Sequence, residues 1–273
     1  MTDAHRAAVL GSPVAHSLSP VLHGAAYEVL GLTGWTYERV ECAEDGLAAF
    51  VAGLGPEWAG LSLTMPLKRV ALELADSASE LAVAVGAANT MVFGPSGRYA
   101  DNTDVLGMVD ALREAGVTRV EAAVVLGAGG TAQAALAALA ELGERAPTVV
   151  VRDPARARPL LDTAARLGVD VTLRRWEGDA LLAGADVVVS TAPKGAADAL
   201  AVRPGAVVFD VVYDPWPTPL AATALAAGCR IVSGLDLLLH QAGHQVRLMT
   251  GHEPPLDAMR AALSPGRAFP RSP

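Results

Sequence analysis

A glycine turn set between two apolar segments restricts the fold more than any other feature. The uncharged run Ala122-Ala123-Val124-Val125-Leu126 reads as a buried strand, and it passes directly into Gly127-Ala128-Gly129-Gly130-Thr131-Ala132 and then an Ala- and Leu-rich stretch with the composition of a helix. The spacing is G-x-G-x-x-A, in the strand-turn-helix setting that a dinucleotide fingerprint requires. At such a turn the first helical N–H groups are unpaired and sit at the positive end of the helix dipole, and glycine leaves no Cβ between them and an anion. Gly127, Ala128, Gly129, Gly130 and Thr131 therefore read as a pyrophosphate cradle inside a doubly wound parallel sheet. A tight packing turn without a ligand is the plainer alternative.

The next apolar run bears on the kind of dinucleotide. Val149-Val150-Val151 is followed by Arg152, Asp153 and Arg156. Two guanidinium groups suit a 2′-phosphate and point to NADP, whereas an acidic side chain at a strand end suits a bare ribose and keeps NAD open. Ordinary solvated loop charges are the remaining alternative.

The rest of the chain is patterned around this centre. Runs at Thr148–Val151, Asp186–Ser190, Val207–Val212 and Cys229–Val232 predict further buried parallel strands separated by helices. Ahead of the glycine turn the pattern predicts a strand at Ala7–Leu10, a helix near Pro20–Leu30, a strand near Tyr37–Val40, a helix near Glu44–Leu54 and a strand at Gly60–Leu63. Asn89-Thr90 and Asp101-Asn102-Thr103-Asp104 read as strand ends and turns where polar side chains can meet a ligand. A last helix, Leu235 to about Thr250, is expected to pack back on the first domain, and Ser264–Pro273 to fray.

The expected fold class is thus α/β. Residues 1–104 would form a substrate-binding and catalytic α/β domain, 105–236 a Rossmann-like doubly wound dinucleotide-binding domain, and 237–273 C-terminal helices returning to the first domain. A chain of 273 residues suits two modest domains, and a cleft between them is the natural ligand site.

Composition closes off several other classes. Aromatics make up 4% of residues against 52% hydrophobic overall, so the core must be built mainly from Ala, Val and Leu. With 21 basic against 29 acidic residues the net charge is -8, and the absence of a Lys/Arg run argues against nucleic acid or an anionic membrane as partner. The uncharged stretch Ala122–Ala140 approaches membrane-spanning length, but Gly127, Gly129 and Gly130 break it. Met1 to Arg6 lack the apolar region of a secretion signal, which points to the cytoplasm. Cys42 and Cys229 have neither CxxC nor metal-like spacing, so they read as buried thiols, with no disulfide and no metal site expected. The sequence leaves monomer and homodimer open.

Candidate substrate groups lie in the first domain. In Ser17-Leu18-Ser19-Pro20, Ser19 can cap a helix with Pro20 as its first residue, and the two hydroxyls at i, i+2 beside a helix N-terminus would also suit a carboxylate. Ser62-Leu63-Thr64-Met65-Pro66-Leu67-Lys68 leaves a buried strand, with Ser62 and Thr64 on one side and Lys68 one turn into a helix. Reduction of a ketone needs hydride at carbon and a proton at oxygen, and an ammonium can supply the proton. Asp104 would orient such a lysine, while Asn89, Tyr213 and Gln241 could read ring hydroxyls. Each of these residues alone also fits a solvated surface, a turn or a cap.

Taken in order, Ser17-Leu18-Ser19-Pro20, Leu63 to Lys68, Gly86-Ala87-Ala88-Asn89-Thr90, Asn102-Thr103-Asp104, Gly127 to Gly130, Asp210-Val211-Val212-Tyr213-Asp214-Pro215 and Gly234 with Gln241-Ala242 resemble the shikimate dehydrogenase family over nearly the whole chain. The resemblance implies NADPH-linked interconversion of 3-dehydroshikimate and shikimate. It implies Lys68 and Asp104 as the catalytic pair and Ser17 and Ser19 at the substrate carboxylate. Thr64, Asn89, Asp104, Tyr213 and Gln241 would surround the ring, and Gly127, Ala128, Gly129, Gly130, Thr131, Arg152, Asp153, Arg156, Val211 and Gly234 the cofactor. Three positions depart from the family pattern: Ser62 stands where Asn is usual, Val151-Arg152-Asp153 where Asn-Arg-Thr is usual, and Leu237 where Met is common. The first bears on substrate affinity and the second on cofactor preference. A quinate-active relative and a non-catalytic ligand sensor on the same scaffold are the competing readings. Ser rather than Thr at 19 favours shikimate, and the presence of both Lys68 and Asp104 argues against a sensor.

Overall fold

A computed structural model of the chain describes residues 4–176 and 182–263. The expected fraying of Ser264–Pro273 lies outside them. The chain divides into two compact units: one takes it through Thr103 and again from Leu238, and the other runs Asp104–Leu237. Both are α/β, as the patterning requires.

In the first unit the elements are β1 (His5–Gly11), α1 (Ser19–Val29), β2 (Trp35–Glu41), α2 (Leu47–Ala52), β3 (Trp58–Leu63), α3 (Lys68–Leu74), β4 (Ser77–Ala78), α4 (Glu80–Val85), β5 (Thr90–Gly94) and β6 (Gly97–Asp101). Their six strands form one sheet in the order β2-β1-β3-β5-β6-β4, parallel for β1 with its two neighbours and antiparallel through β3, β5 and β6. The β5–β6 hairpin runs between the two polar segments read from sequence as strand ends and turns, with Thr90 and Asp101 at its ends. The helix expected over Glu44–Leu54 begins as a 3₁₀ turn at Glu44–Gly46 and turns α-helical only at Leu47.

Strand alternation divides this unit's core between the two faces of the sheet. Ala8, Leu10, Leu61 and Leu63 pack on one face with Leu47, Val51 and Leu67. The other face is covered by α1 and by the chain's last described helices, through Leu22, Ala26, Leu239, Val246 and Met259.

The second unit contains α5 (Thr103–Glu114, from its second residue), β7 (Ala123–Leu126), α6 (Gly130–Glu141), β8 (Thr148–Val151), α7 (Arg158–Leu167), β9 (Thr172–Arg175), β10 (Val187–Ser190), β11 (Val207–Asp210), α8 (Pro219–Ala226), β12 (Arg230–Ser233) and the start of α9 (Gly234–Thr250). The unit boundary falls inside α9, and α10 (Leu256–Ala262) belongs to the first unit. All pairings in the sheet β12-β11-β10-β7-β8-β9 are parallel.

β7, β10 and β11 are buried at every residue, which is why they read as unbroken Val runs rather than alternating ones. β9 was not visible in that pattern: it is the edge strand, and Thr172, Arg174 and Arg175 on it are exposed. Alanines on α6 let the helix lie close on the sheet, with Ala132, Ala134, Ala135, Ala137 and Ala138 all buried. A buried carboxylate fixes the starts of two strands, since Glu144 accepts from the Ala123 N–H at 3.0 Å and the Ala146 N–H at 2.7 Å.

Candidate active site

In the second unit the glycine turn is built as its spacing implies. Gly127 has φ 109°, and a Cβ there would lie 2.5 Å from Thr191 Oγ1, so both conformation and space demand glycine. Gly129 is extended at the N-cap of α6 and Gly130 is its first residue; a Cβ on either would meet no heavy atom within 4 Å. No side chain caps this helix. The first turn of α6 thus offers N–H groups and a dipole end to open, uncrowded space, which is what a pyrophosphate needs.

At the end of β8, Arg152 and Arg156 are exposed and form no ion pair among the described residues. Asp153 is engaged locally: its Oδ1 accepts the Ala155 N–H at 3.1 Å and caps the 3₁₀ turn Pro154–Ala157. β9 adds a cation the sequence reading did not single out, because Arg175 lies opposite Val151 in the parallel register.

Beyond β11 the strand expected to reach Val212 stops at Asp210. The buried Asp210 carboxylate accepts from Thr218 Oγ1 at 2.7 Å and from the Val212 N–H at 3.2 Å, so the chain leaves the ladder to wrap around it. Burial pushes the Asp210 carboxyl pKa up. A Cβ on Gly234 would lie 2.0 Å from the Val211 carbonyl oxygen and 3.0 Å from Tyr213 Cδ1, so this glycine is what lets the 211–213 loop lie against the start of α9. Tyr213 is half-buried, and burial followed by the neighbouring Asp214 charge raises its hydroxyl pKa.

In the first unit two placements differ from the sequence reading. Leu18, not Ser19, is the N-cap of α1, without a side-chain cap bond. Ser19 is instead the first helical residue, because its own N–H is taken by Ser17 Oγ at 3.3 Å and its hydroxyl lies 3.2 Å from that of Ser17. The two hydroxyls therefore meet as a pair. Lys68 likewise starts α3 rather than lying one turn inside it, with Leu67 at the cap.

The segment 87–89 ties the candidate residues together. Ala88 N–H donates to the Lys68 carbonyl at 2.8 Å, and Asn102 Nδ2 donates to the Ala87 carbonyl at 2.9 Å. Asn89 Oδ1 accepts from the Thr103 N–H at 2.7 Å, Thr103 Oγ1 at 3.1 Å and Thr90 Oγ1 at 2.9 Å. Its Nδ2 donates to Gln241 Oε1 at 3.4 Å. The start of α3 and the residue that begins α5 are thus held to the same three residues, with buried Asp104 next in sequence after Thr103. Thr64 is placed by Gly11, where a Cβ would be 2.3 Å from Thr64 Cγ2.

Sequence reasoning missed Gln245 and Tyr37. Gln245 is buried and donates to Thr90 Oγ1 at 3.1 Å while accepting from Ser62 Oγ at 2.8 Å. Its signal was present: it lies one turn past Gln241 on α9, where i and i+4 share a face. Tyr37 carried no local signal, since on an edge strand it reads as an ordinary half-buried aromatic. Among the described residues, no group of three or more His, Cys, Asp or Glu could hold a metal ion, and no helix is long and apolar enough to cross a membrane.

An all-parallel sheet carrying an open glycine turn in one unit, and in the other a mixed α/β fold that gathers hydroxyls, amides and a lysine, define a two-domain α/β dehydrogenase. Family models for the shikimate dehydrogenase substrate binding domain and the shikimate 5'-dehydrogenase C-terminal domain match residues 9–91 and 234–263. The shikimate dehydrogenase (NADP(+)) of Rhodospirillum rubrum is 40% identical, over 94% of this chain and 96% of that protein. The crystal structure of a shikimate 5-dehydrogenase from Mycobacterium fortuitum aligns with a TM-score of 0.88 at 50% identity, covering 96% of this chain and 98% of that one. Quinate dehydrogenase from Corynebacterium glutamicum in complex with NAD aligns at 0.86 with 30% identity, covering 96% and 99%. The chain belongs to the shikimate dehydrogenase family.

Proposed function

We propose that the protein catalyses the reversible NADPH-dependent reduction of 3-dehydroshikimate to shikimate, the step the NADP(+)-named relative's name implies. The observation that carries the reading is the bonding of segment 87–89 to both Lys68 and Thr103, which gathers a lysine, an amide and the approach to a carboxylate at one point of the fold. NADPH, when bound, supplies the hydride.

The chain's own groups do the rest. Lys68 stabilises negative charge developing on the ketone oxygen and delivers a proton to it, and Asp104 orients the ammonium and accepts from a neighbouring substrate hydroxyl. Ser17 and Ser19 donate to the substrate carboxylate at the start of α1. Asn89 presents its amide nitrogen, because its oxygen is already taken by three donors, and Gln241, Thr64 and Tyr213 complete the ring contacts. Gly127 to Thr131 hold the pyrophosphate, and Val211 and Gly234 line the nicotinamide. Arg152 and Arg156, with Arg175 beside them, take the 2′-phosphate; Asp153 is diverted to its cap, which favours NADP over NAD. The same reading makes the protein a cytoplasmic monomer or homodimer without a nucleic-acid partner, in keeping with its net charge of -8.

Steady-state rates with shikimate and quinate, each with NADP and NAD, test this. Shikimate with NADP is expected to be the fastest pair. Faster turnover of quinate with NAD would replace the assignment with that of the quinate-linked relative, and no turnover of any pair would leave a ligand sensor.

A further inference from the structure

Ser62 is the position at which this chain has a shorter side chain than its family pattern, and the structure shows what reaches toward it. Tyr37 projects from β2 across the sheet and donates its phenolic O–H to Ser62 Oγ at 2.6 Å. Its register partner Ala7 and the next strand's Gly60 carry almost no side chain on that face, so nothing on β1 or β3 stands in the way. The Ser19 hydroxyl lies close enough to the same phenol to offset a little of the rise that burial imposes on its pKa. The row is thus two hydrogen-bonded pairs of hydroxyls, Ser17 with Ser19 at 3.2 Å and Tyr37 with Ser62 at 2.6 Å, with Ser19 near enough to the phenol to act on its pKa.

The polarity of the row is fixed from its far end. Gln245 turns its amide nitrogen to Thr90 and the Asn89 carbonyl, which leaves Oε1 to accept the Ser62 proton at 2.8 Å. The Tyr37 ring is held by a stack on His23, with centroids 3.9 Å apart and planes 17° off parallel. That histidine is uncharged, its pKa driven down to about 3 by burial, and its Nε2 lies 3.4 Å from Gln245 Oε1. One cation stands at the Ser17 end of the row: Arg39, two residues along β2 from Tyr37, donates its Nε to the Ser17 carbonyl at 2.8 Å, so an anion arriving there meets O–H donors beside a guanidinium.

We propose that Tyr37 is a further substrate-binding residue: its phenol O–H turns from Ser62 to the substrate carboxylate and acts as a third donor beside Ser17 and Ser19. A phenol is the most acidic hydroxyl in the row, and a carboxylate is a far better acceptor than a serine oxygen, so the exchange is favourable. The short Ser62 leaves room for the phenol where a longer amide would stand. This inference rests on the carboxylate assignment of Ser17 and Ser19 in the proposed function.

The test is equilibrium binding of shikimate and of its neutral carboxamide analogue to wild type and Tyr37→Phe, by calorimetry. Phenylalanine keeps the ring and its stack on His23, and a thermal melt checks that the fold is retained. Loss of one charge-assisted hydrogen bond predicts shikimate binding weakened by roughly 10- to 100-fold, with the carboxamide bound within about threefold of wild type. Equal weakening of both ligands would show a role in packing rather than in meeting the carboxylate, and shikimate binding unchanged in the variant would likewise overturn the assignment. Failure of the wild type to bind shikimate at all would remove the proposed function together with this inference, which distinguishes that outcome from the others.

Discussion

The glycine turn of the second unit and the polar mesh of the first are built by opposite means. The open half of this contrast, in the second unit, is made by what is missing: Cβ atoms at Gly129 and Gly130, a side-chain helix cap, and ion-pair partners for Arg152 and Arg156 among the described residues. The crowded half, in the first unit, is a buried mesh of Asn89, Thr90, Thr103, Ser62, Gln241 and Gln245 joined by hydrogen bonds between 2.7 and 3.4 Å. An open cradle works through backbone groups and tolerates many neighbours. A crowded one works through side chains that must all be satisfied at once.

Substitutions break that contrast in different ways. The largest effect is expected at Lys68, where Lys68→Ala should lower kcat by about 10²- to 10⁴-fold with KM for shikimate little changed, as befits a group acting in the transition state. Turnover near wild type would take the proton-transfer role away from it.

Next comes the mesh. Asn89→Ala leaves the buried Thr103 N–H without its acceptor and should cost about 2–3 kcal/mol of stability in denaturant unfolding. It should also raise KM for shikimate while leaving that for NADP alone. A stability loss below about 0.5 kcal/mol would mean that the mesh is not a cooperative unit.

Within the open half, two glycines separate stability from binding. Gly127→Ala forces a side chain into a positive φ and against Thr191, and should cost about 1–3 kcal/mol in a thermal or chemical melt. Gly130→Ala enters open space, so the melt should hardly move while KM for NADP rises. If both variants melted alike, the distinction drawn between conformational need and ligand clearance would be wrong. The smallest change should follow Arg152→Ala, with KM for NADP raised about tenfold relative to KM for NAD, other exposed arginines being close by. Equal change for both cofactors would place the guanidinium away from the 2′-phosphate.

How much of this was legible beforehand follows the same division. The glycine turn, the Val-rich central strands and the Arg152 to Arg156 stretch are local patterns, and each stands in the structure within a residue or two of where periodicity puts it. The departures have physical causes. β9 is an exposed edge strand without the apolar run that marks its neighbours. Val211 and Val212 look like strand, but the buried Asp210 carboxylate pulls the backbone off the ladder. Ser19 looks like a cap, yet Ser17 has already taken its N–H.

By itself, then, the sequence determined the α/β class, the parallel sheet and the open glycine turn, because these depend on interactions between residues a few positions apart. Only the tertiary structure decided that Tyr37, Ser62 and Gln245 form one network, since Tyr37 and Ser62 are 25 residues apart and Ser62 and Gln245 are 183 apart. No periodicity can carry such pairings. They exist because α1 and α9 cover the same face of one sheet, where a buried polar group must find a partner wherever the chain supplies one.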